Sequence, residues 1–542
     1  VSVVRPKLLE TLASASRRFA WHVLLLSANL LFLNYLFWRV DSFLAAPQLN
    51  VLSPVLLVLE GLCFIGFVLY SVNLWDIGAP TPKPPNLPAQ NKSVDIFITT
   101  YSEPVDVVLP TIRHAKSVLC PEHLEVRVVL LDDGHREAMR WVAEMEGIDY
   151  ITRSNNLGYK AGNLANGLEH STADLFVICD ADTHLAPNYL IETEPYLRDP
   201  TVAWVQVPHR FRDTPMARLP KPLHWIKWSD PMFTTPAVFF EILQKGRNAD
   251  HASFCCGAGS IHCRHLNTLG RIAATEDTDL PARFTGRAQL LPPFAHHVSE
   301  DIYTSYRLHF RKGPKIKSIL LDQPLATMSA VQDLNAWAIQ NFKYAAGTLD
   351  IFAREVTRFR FFDRPLARLY YLMTFWSYLS LLWMPFMGVV PVVSALTGWP
   401  LIDGGLWDFL NHFIPFFLAC ELVVILGTRH HGVLRSRVAY GSVMFLAIRS
   451  VRQVLSGKTL GFRVTPKGRS AQTGSGVLIP HAVFVSCLLA CSALVLSRIL
   501  SGPVYGGQTE QQVIILFWLL YTAFNHLPFL FAVFAQPQEG PR

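Results

Sequence analysis

The chain has 542 residues, of which 51% are hydrophobic and only 16% charged. Its mean hydropathy of +0.26 is too high for an ordinary soluble protein, and its charges are too many for a chain that is membrane throughout. The net charge of +7 reads as basic loops on one side of a membrane and not as a nucleic-acid surface.

A spanning helix needs about 20 apolar residues. Two runs of that kind open the chain, from Ala20 to Trp38 and from Val51 to Trp75. The first has no small-residue cleavage site, so it reads as a span and not as a signal peptide. A start at Val1 reads as a trimmed chain. Four more runs follow at Leu369–Leu396, Phe409–Gly427, His481–Leu500 and Gln511–Phe534, which makes six spans. Arg17 and Arg18 precede the first span, and the segment from Arg429 to Lys467 is rich in Arg and Lys. The bias predicts that both termini, that segment and the long soluble part lie in the cytoplasm. The nine cysteines are scattered, and Cys63, Cys420 and Cys487 lie in apolar runs. That pattern predicts reduced thiols. Glu60 and Glu421 fall inside spans, either lining a polar path or paired within the bundle.

The domain boundaries follow from this pattern. Residues 1–77 carry the first two spans and 78–93 form a Pro-rich linker. Residues 94–365 make a soluble domain, and 366–542 carry the last four spans. Helices that lie flat on the membrane are expected at Asn335–Phe352 and Ala439–Leu455, where apolar and basic residues mix.

In the soluble part, "VDIFITTYSEP", "LEVRVVLLDDGHRE" and "ADLFVICDADTHLAP" are each a short apolar run ending in acidic or hydroxylic residues. Each reads as a buried strand, with helical stretches such as "VVLPTIRHAKSVL" between them. The alternation predicts a parallel α/β sheet with helices on both faces. Ligands of such sheets bind beyond the carboxyl ends of the strands. Asp132, Asp133, Asp180 and Asp182 converge there. Asp-x-Asp at a strand end supplies hard oxygen ligands, and Mg²⁺ takes one or two carboxylates together with substrate phosphates. On its own the motif is weak, because acidic turns are common.

The ordered set "TYSEP", "LDDG", "YKAGNLANGL", "DAD", "VQVPH", "FCCGAGS", "SED" and "QNFKY" is specific. It resembles the signatures of processive family-two glycosyltransferases, above all the bacterial cellulose synthase catalytic subunit and related membrane β-glucan synthases. The resemblance runs from the first span to the last. It implies a Rossmann-like GT-A domain set between transmembrane helices, a UDP-sugar donor, a growing polysaccharide acceptor and a Mg²⁺ or Mn²⁺ cofactor. Thr100, Tyr101 and Glu103, with Asp132 or Asp133, are implied to hold the uridine. Lys160 is implied to meet the diphosphate, and Asp180 and Asp182 to position the metal. His209, Cys256 and Gly257 are implied to border the acceptor end. The histidine and the cysteine also read as ordinary packed core residues.

Two spellings compete for the catalytic base. Thr275-Glu276-Asp277 is followed by Pro281, which interrupts a helix. Ser299-Glu300-Asp301 opens an amphipathic stretch with Tyr303, Tyr306, Leu308 and Phe310 behind it, and Gln340 follows at the family's spacing. Asp301 is therefore the expected base. Gln340, Lys343 and Tyr344 stand in the family's Q-x-x-R-W motif, with Lys and Tyr in place of Arg and Trp. Lys keeps a positive charge for the diphosphate without the bidentate fork of Arg, and Tyr keeps an aromatic face for the acceptor. Phe462, Val464, Thr465 and Lys467, in "FRVTPK", are similar to the family's gating loop, a lid that closes over the donor.

The resemblance implies a processive, inverting enzyme of the bacterial inner membrane. It would polymerise UDP-glucose into a cellulose-like, mixed-linkage or β-1,3 glucan and pass it through its own spans. Trp376, Tyr378 and Trp383 can stack on sugars there or serve as interfacial aromatics. Export partners beyond the membrane are implied in Gram-negative cells. Many members continue into a cyclic-di-GMP-binding barrel, for which the stretch after the last span is too short. The alternatives are a non-processive transferase acting on a lipid carrier and a non-catalytic channel subunit. Retention of Asp180, Asp182 and Asp301 argues against the second.

Overall fold

The computed structural model describes all residues except 1–3, 46–49, 78–80, 215, 219–226, 229–237, 267–296, 311–314, 357–363, 403, 429–432, 457–474, 502–506 and 537–542. The candidate gating residues Phe462, Val464, Thr465 and Lys467 and the rival triplet Thr275–Asp277 lie outside the described residues. The chain divides into two compact units. One is residues 1–78, 379–445 and 476–532, and the other is residues 79–378, 446–475 and 533–542.

Six segments of the described residues are long and apolar enough to span a membrane: Ala15–Ala45, Leu52–Leu74, Pro365–Thr397, Leu406–Gly427, Ile479–Leu500 and Thr509–Ala532. They follow the expected runs, with ends that differ by at most seven residues. The first two lie in α1 (Val4–Ala45) and α2 (Leu52–Leu74). The third is not continuous α-helix. It is α8 (Pro365–Leu379), a 3-10 turn at Ser380–Leu382, and α9 (Met384–Thr397). Pro385 near the start of α9 has no N–H to give the preceding turn, and its ring clashes with the carbonyl four residues back.

In the first unit α1 packs on α2 and on α10 (Leu406–Gly427). Phe32 stacks on Phe416 at 4.7 Å and Tyr35 lies 4.4 Å from the same ring. Close aromatic packing of this kind holds helices together where lipid offers no hydrophobic drive. Both intramembrane acids are paired. Glu60 takes a 3.0 Å ion pair from Arg39 and a 2.7 Å hydrogen bond from Tyr35, all three buried. Glu421 pairs with Arg437 of α11 (Val433–Gly441), which also donates to Tyr521 at 3.0 Å. The helix expected at Ala439–Leu455 is divided between α11 and α12 (Met444–Leu455).

The second unit is built on a seven-stranded sheet. Its strands are β1 (Lys92–Thr100), β2 (Leu124–Asp132), β3 (Asp149–Ile151), β4 (Leu175–Asp180), β5 (Val202–Gln206), β6 (Ser260–Cys263) and β7 (Lys317–Leu320). Their order across the sheet is β7-β5-β6-β4-β1-β2-β3. β1 shows why these apolar runs are strands buried on both faces. Val94, Ile96 and Ile98 face a core shared with Val108 and Ile112 of α3 (Val105–Lys116) and Met139 and Val142 of α4 (Glu137–Glu146). Phe97, between them, faces Ala161, Leu164 and Leu168 of α5 (Tyr159–Glu169).

One strand departs from the expected parallel pattern. β6 runs antiparallel to both β4 and β5. The Cys255–Gly259 loop already stands at the carboxyl edge of the sheet, so the strand leaving it has to run back. Gly257 (φ 79°) and Gly259 (φ 71°) make that reversal in the left-handed region, where glycine carries no Cβ penalty. Two further helices of this unit are α6 (Glu300–His309) and α7 (Leu334–Glu355). Residues 345–351 of α7 are buried on every side by protein. A helix lying flat on a membrane keeps one face toward lipid, so this half of α7 is a core helix.

Candidate active site

The register aligns Thr100 of β1 with Asp132 of β2, and Thr99 with Asp180 of β4. Three of the expected acidic and hydroxylic ends therefore meet on one edge. Two polar networks are built there.

The first lies at the ends of β1 and β2. Glu103 accepts from Thr100 Oγ1 at 2.9 Å and from the N–H groups of Tyr101 and Ser102 at 2.8 and 3.2 Å. Asp132 is fully buried and accepts from the N–H groups of Gly134 (3.0 Å) and Arg136 (2.8 Å), and from Tyr150 Oη (3.0 Å). The Arg136 guanidinium joins the two turns, since it donates to Asp132 at 3.0 Å and to Thr100 Oγ1 at 2.7 Å. Asp133 is held by both arms of Arg153, at 2.6 and 2.8 Å. The same guanidinium donates to the carbonyls of Leu157 and Tyr159 at 2.5 and 2.8 Å. Tyr159 has φ 52° and follows Gly158 at φ 72°, so two left-handed residues open α5. A bulky residue there is strained and persists only where its surroundings fix it. Tyr101 stays exposed beside this rigid turn.

The second network centres on Lys160, in the first turn of α5. Its Nζ lies 2.5 Å from Asp180 Oδ1 and 3.6 Å from Glu300 Oε1. Burial works against the Lys160 charge, but Asp180, Glu300 and Asp301 outweigh it and hold its pKa above the ordinary lysine value. Burial pushes the Glu300 carboxyl up to about 7, against the pull of Lys160, and raises Asp301 as well. Gly257 faces this cluster. A Cβ on it would stand 3.1 Å from Lys160 Nζ and 3.8 Å from Asp301 Oδ2. The backbone is therefore kept bare where the lysine and the acid come together.

The Cys255–Gly257 loop is pinned from three sides. Gln206 accepts from Cys256 N–H at 2.7 Å and donates to the Ala258 carbonyl at 3.0 Å. His209 donates through Nε2 to the same carbonyl at 2.9 Å, and burial lowers its pKa to about 4. The imidazole is thus neutral at physiological pH. Ser305 of α6 accepts from Cys255 N–H at 2.8 Å and donates to the Asp301 carbonyl at 2.8 Å. Burial raises the Cys256 thiol pKa, which keeps it protonated.

The two acids of the Asp-Ala-Asp turn are not equivalent. Asp180 pairs with Lys160 and stays partly open to solvent. Asp182 is fully buried and accepts from Ser329 N–H at 3.1 Å. Among the described residues there is no cluster of three or more His, Cys, Asp and Glu side chains able to hold a metal. Two hard carboxylates on one turn suit a divalent cation that takes its other ligands from substrate phosphates and water. The donor set fits such an ion. On α7, Gln340 and Lys343 are half-buried, and Tyr344 is 48% exposed just before the helix enters the core.

The structure brings together Lys160, Asp180, Asp301 and Gly257, and separately Thr100, Tyr101, Glu103, Asp132 and Asp133. Sequence reasoning missed Glu300, Arg136, Arg153 and Gln206. Arg136 stands four residues after Asp132 but across a turn, where helical spacing gives no signal for the pair. Arg153 follows β3 in a polar loop, likewise with no signal.

Residues 95–268 match the family model "Glycosyl transferase family 2". The chain is 29% identical over 329 residues to a cellulose synthase catalytic subunit [UDP-forming] of Xanthomonas axonopodis pv. citri, covering 58% of this chain and 40% of that one. It is 30% identical over 347 residues to the cellulose synthase 1 catalytic subunit of Komagataeibacter xylinus, covering 62% of this chain and 42% of that one. The matches span less than half the length of these relatives. Among solved structures, a mannosyltransferase of Pyrobaculum calidifontis in complex with GDP-Man and Mn²⁺ aligns at TM-score 0.44 and 15% identity, over 73% of this chain and 98% of that one. The soluble unit, with its mixed sheet and its acids on the carboxyl edge, holds the stretch that matches the glycosyl transferase family 2 model, in a chain that has six segments apolar enough to span a membrane and is similar to bacterial cellulose synthase catalytic subunits.

Proposed function

We propose that the chain is a processive, inverting glycosyltransferase that polymerises UDP-glucose into a β-linked glucan and passes it through its own spans. Its catalytic unit faces the cytosol across the bacterial inner membrane, as the basic segment from Arg429 onward favours. The observation that carries the reading is the contact of Lys160 with Asp180 and Glu300, next to Asp301 and over the bare backbone of Gly257. Similarity to cellulose synthase catalytic subunits supports the donor and the polymer.

In this reading the uridine lies by the turn of Thr100, Tyr101 and Glu103, next to Asp132 and Asp133. The diphosphate lies over the end of β4. Asp180 and Asp182 would hold Mg²⁺ or Mn²⁺, which when bound supplies positive charge to the departing diphosphate. Lys160 places a second positive charge at the same oxygens, with Gln340 and Lys343 as further donors. Asp301 takes the proton from the acceptor hydroxyl as that oxygen attacks the anomeric carbon. The new C–O bond forms opposite the leaving group. The old C–O bond breaks with its electron pair on UDP, so the configuration inverts. Tyr344 presents a ring to the acceptor sugar, and His209, Cys256 and Gly257 border its reacting end.

The reading is tested with purified protein and Mg²⁺, offering radiolabelled UDP-glucose, UDP-N-acetylglucosamine and other UDP-sugars separately. Polymer from UDP-glucose that disappears in Asp301→Asn is the expected result, and linkage-specific glucanases then name the bond. Short lipid-linked product would overturn processivity. Polymer from another donor alone would overturn the sugar.

A further inference from the structure

Helix α6 opens on Ser299, a residue type that usually caps a helix with its side chain. Here the side chain makes no capping bond. The Ser299 backbone is fixed instead, because its N–H donates to His297 Nδ1 at 3.1 Å. With Nδ1 accepting, the neutral ring carries its proton on Nε2, which lies 3.1 Å from Asp350 Oδ2 on α7. The His297 and Asp350 side chains are each only 3% exposed. Arg354, one turn on, donates to the same Asp350 oxygen at 2.7 Å. Burial works against the Asp350 charge, but His297 and Arg354 outweigh it and keep its pKa below the ordinary value.

α7 also touches Ser299 directly. Gly347 leaves no room for a Cβ, which would run into the Ser299 side chain and come within 3.2 Å of Val298. The same helix carries Lys343 and Tyr344 one turn earlier and Gln340 two turns earlier. Farther along, the Tyr303 hydroxyl of α6 donates to Glu355 at 2.8 Å and joins the two helices at a second point. The Tyr303 N–H also bonds the Ser299 carbonyl at 3.2 Å and its ring lies edge-on to His297 at 5.3 Å, and Tyr303→Phe keeps both of these while it removes the hydroxyl.

We propose that Asp350 and His297 are positioning residues: through the Ser299 N–H they fix the start of α6, and so the place of Glu300 and Asp301 relative to α7. One helix then sets both the acceptor-side residues and the carboxylates that face Lys160. The inference rests on the reading of Asp301 as the base.

Two measurements on the full chain test it. In the first, amide exchange of residues 297–302 is followed without substrate in wild type, Asp350→Asn and Tyr303→Phe. Faster exchange in Asp350→Asn but not in Tyr303→Phe is expected. In the second, polymerisation from UDP-glucose is followed. Asp350→Asn is expected to lower kcat on the order of tenfold to a hundredfold, the usual cost of a misplaced reacting group, with KM for the donor within about twofold. Tyr303→Phe is expected to lower the thermal midpoint while keeping kcat. His297→Leu removes the link and leaves Asp350 paired to Arg354, and it is expected to repeat the kcat loss if Asp350→Asn does not fold. Unchanged exchange and kcat in both link variants, or an equal kcat loss in Tyr303→Phe, would overturn the proposal. If wild type makes no polymer, the proposed function fails, and the exchange measurement still decides whether the link holds the start of α6.

Discussion

Lys160 Nζ lies 2.5 Å from Asp180 Oδ1, and this contact joins the start of α5 to the end of β4. Glu300 stands 3.6 Å away on the other side. Lys160→Met leaves these acids without their shared cation. We expect kcat to fall by about 10² to 10³, the usual cost of removing one group that stabilises developing charge. Lys160→Arg is expected to recover little, because a planar fork does not replace a compact point charge beside Gly257. Initial rates with UDP-glucose check both. Activity within threefold of wild type in Lys160→Met would remove the lysine from the reaction.

Glu300 gives a pH dependence. Its pKa is raised from 4.5 to about 7 by burial, against the attraction of Lys160. Between those two values the folded protein keeps a proton that the unfolded chain has lost. The contribution of this group to stability therefore falls as pH rises through that window and is level above it. Glu300→Gln is neutral throughout. We expect its thermal midpoint to match wild type near pH 5 and to exceed it near pH 8, by at most about 3 kcal/mol in stability. A midpoint difference that is the same at both pH values would contradict this assignment.

The sequence shows some of this and hides the rest. The spans were legible because a run of about 20 consecutive apolar residues is rare outside segments that cross a bilayer. The strands β1, β2 and β4 were legible as short apolar runs ending in acids. The reversal of β6 was not, since Ser260–Cys263 is too short to declare a direction, and direction came from where the Cys255–Gly259 loop stands. The burial of α7 was hidden for a related reason. Its mixed apolar and basic residues suit a membrane surface equally well, and only the partners of Asp350 and Arg354 show that this end of the helix is turned into protein. Glu300 was passed over beside Asp301 because a spelling cannot say which of two adjacent acids faces the lysine.

Arg153 holds Asp133 with both arms while also serving two backbone carbonyls. The Arg153 and Asp133 side chains are 10% and 4% exposed, so the pair is shielded from water. Removing one partner of such a pair costs about 3–5 kcal/mol, because the other charge stays buried. Arg153→Ala is thus expected to lower the thermal midpoint and to raise KM for the donor, since Tyr159 and Lys160 follow directly on this loop. Arg153→Ala with Asp133→Asn should recover part of the stability and little of the KM. Full additivity of the two substitutions would show that the pair does not act as a unit.

Gly257 combines a backbone requirement with a chemical one. At φ 79° a side chain carries a strain of about 1–2 kcal/mol. Its Cβ would also stand 3.1 Å from Lys160 Nζ. Gly257→Ala is expected to reduce stability by about that strain, because the loop stays tethered by Gln206 and Ser305. Its kcat should fall by more than the stability loss accounts for, roughly tenfold or beyond, since the lysine is pushed from the point where Asp180 and Asp301 meet. Melting curves and initial rates measured on the same preparation separate the two effects. Loss of stability with unchanged kcat would assign Gly257 to the turn alone.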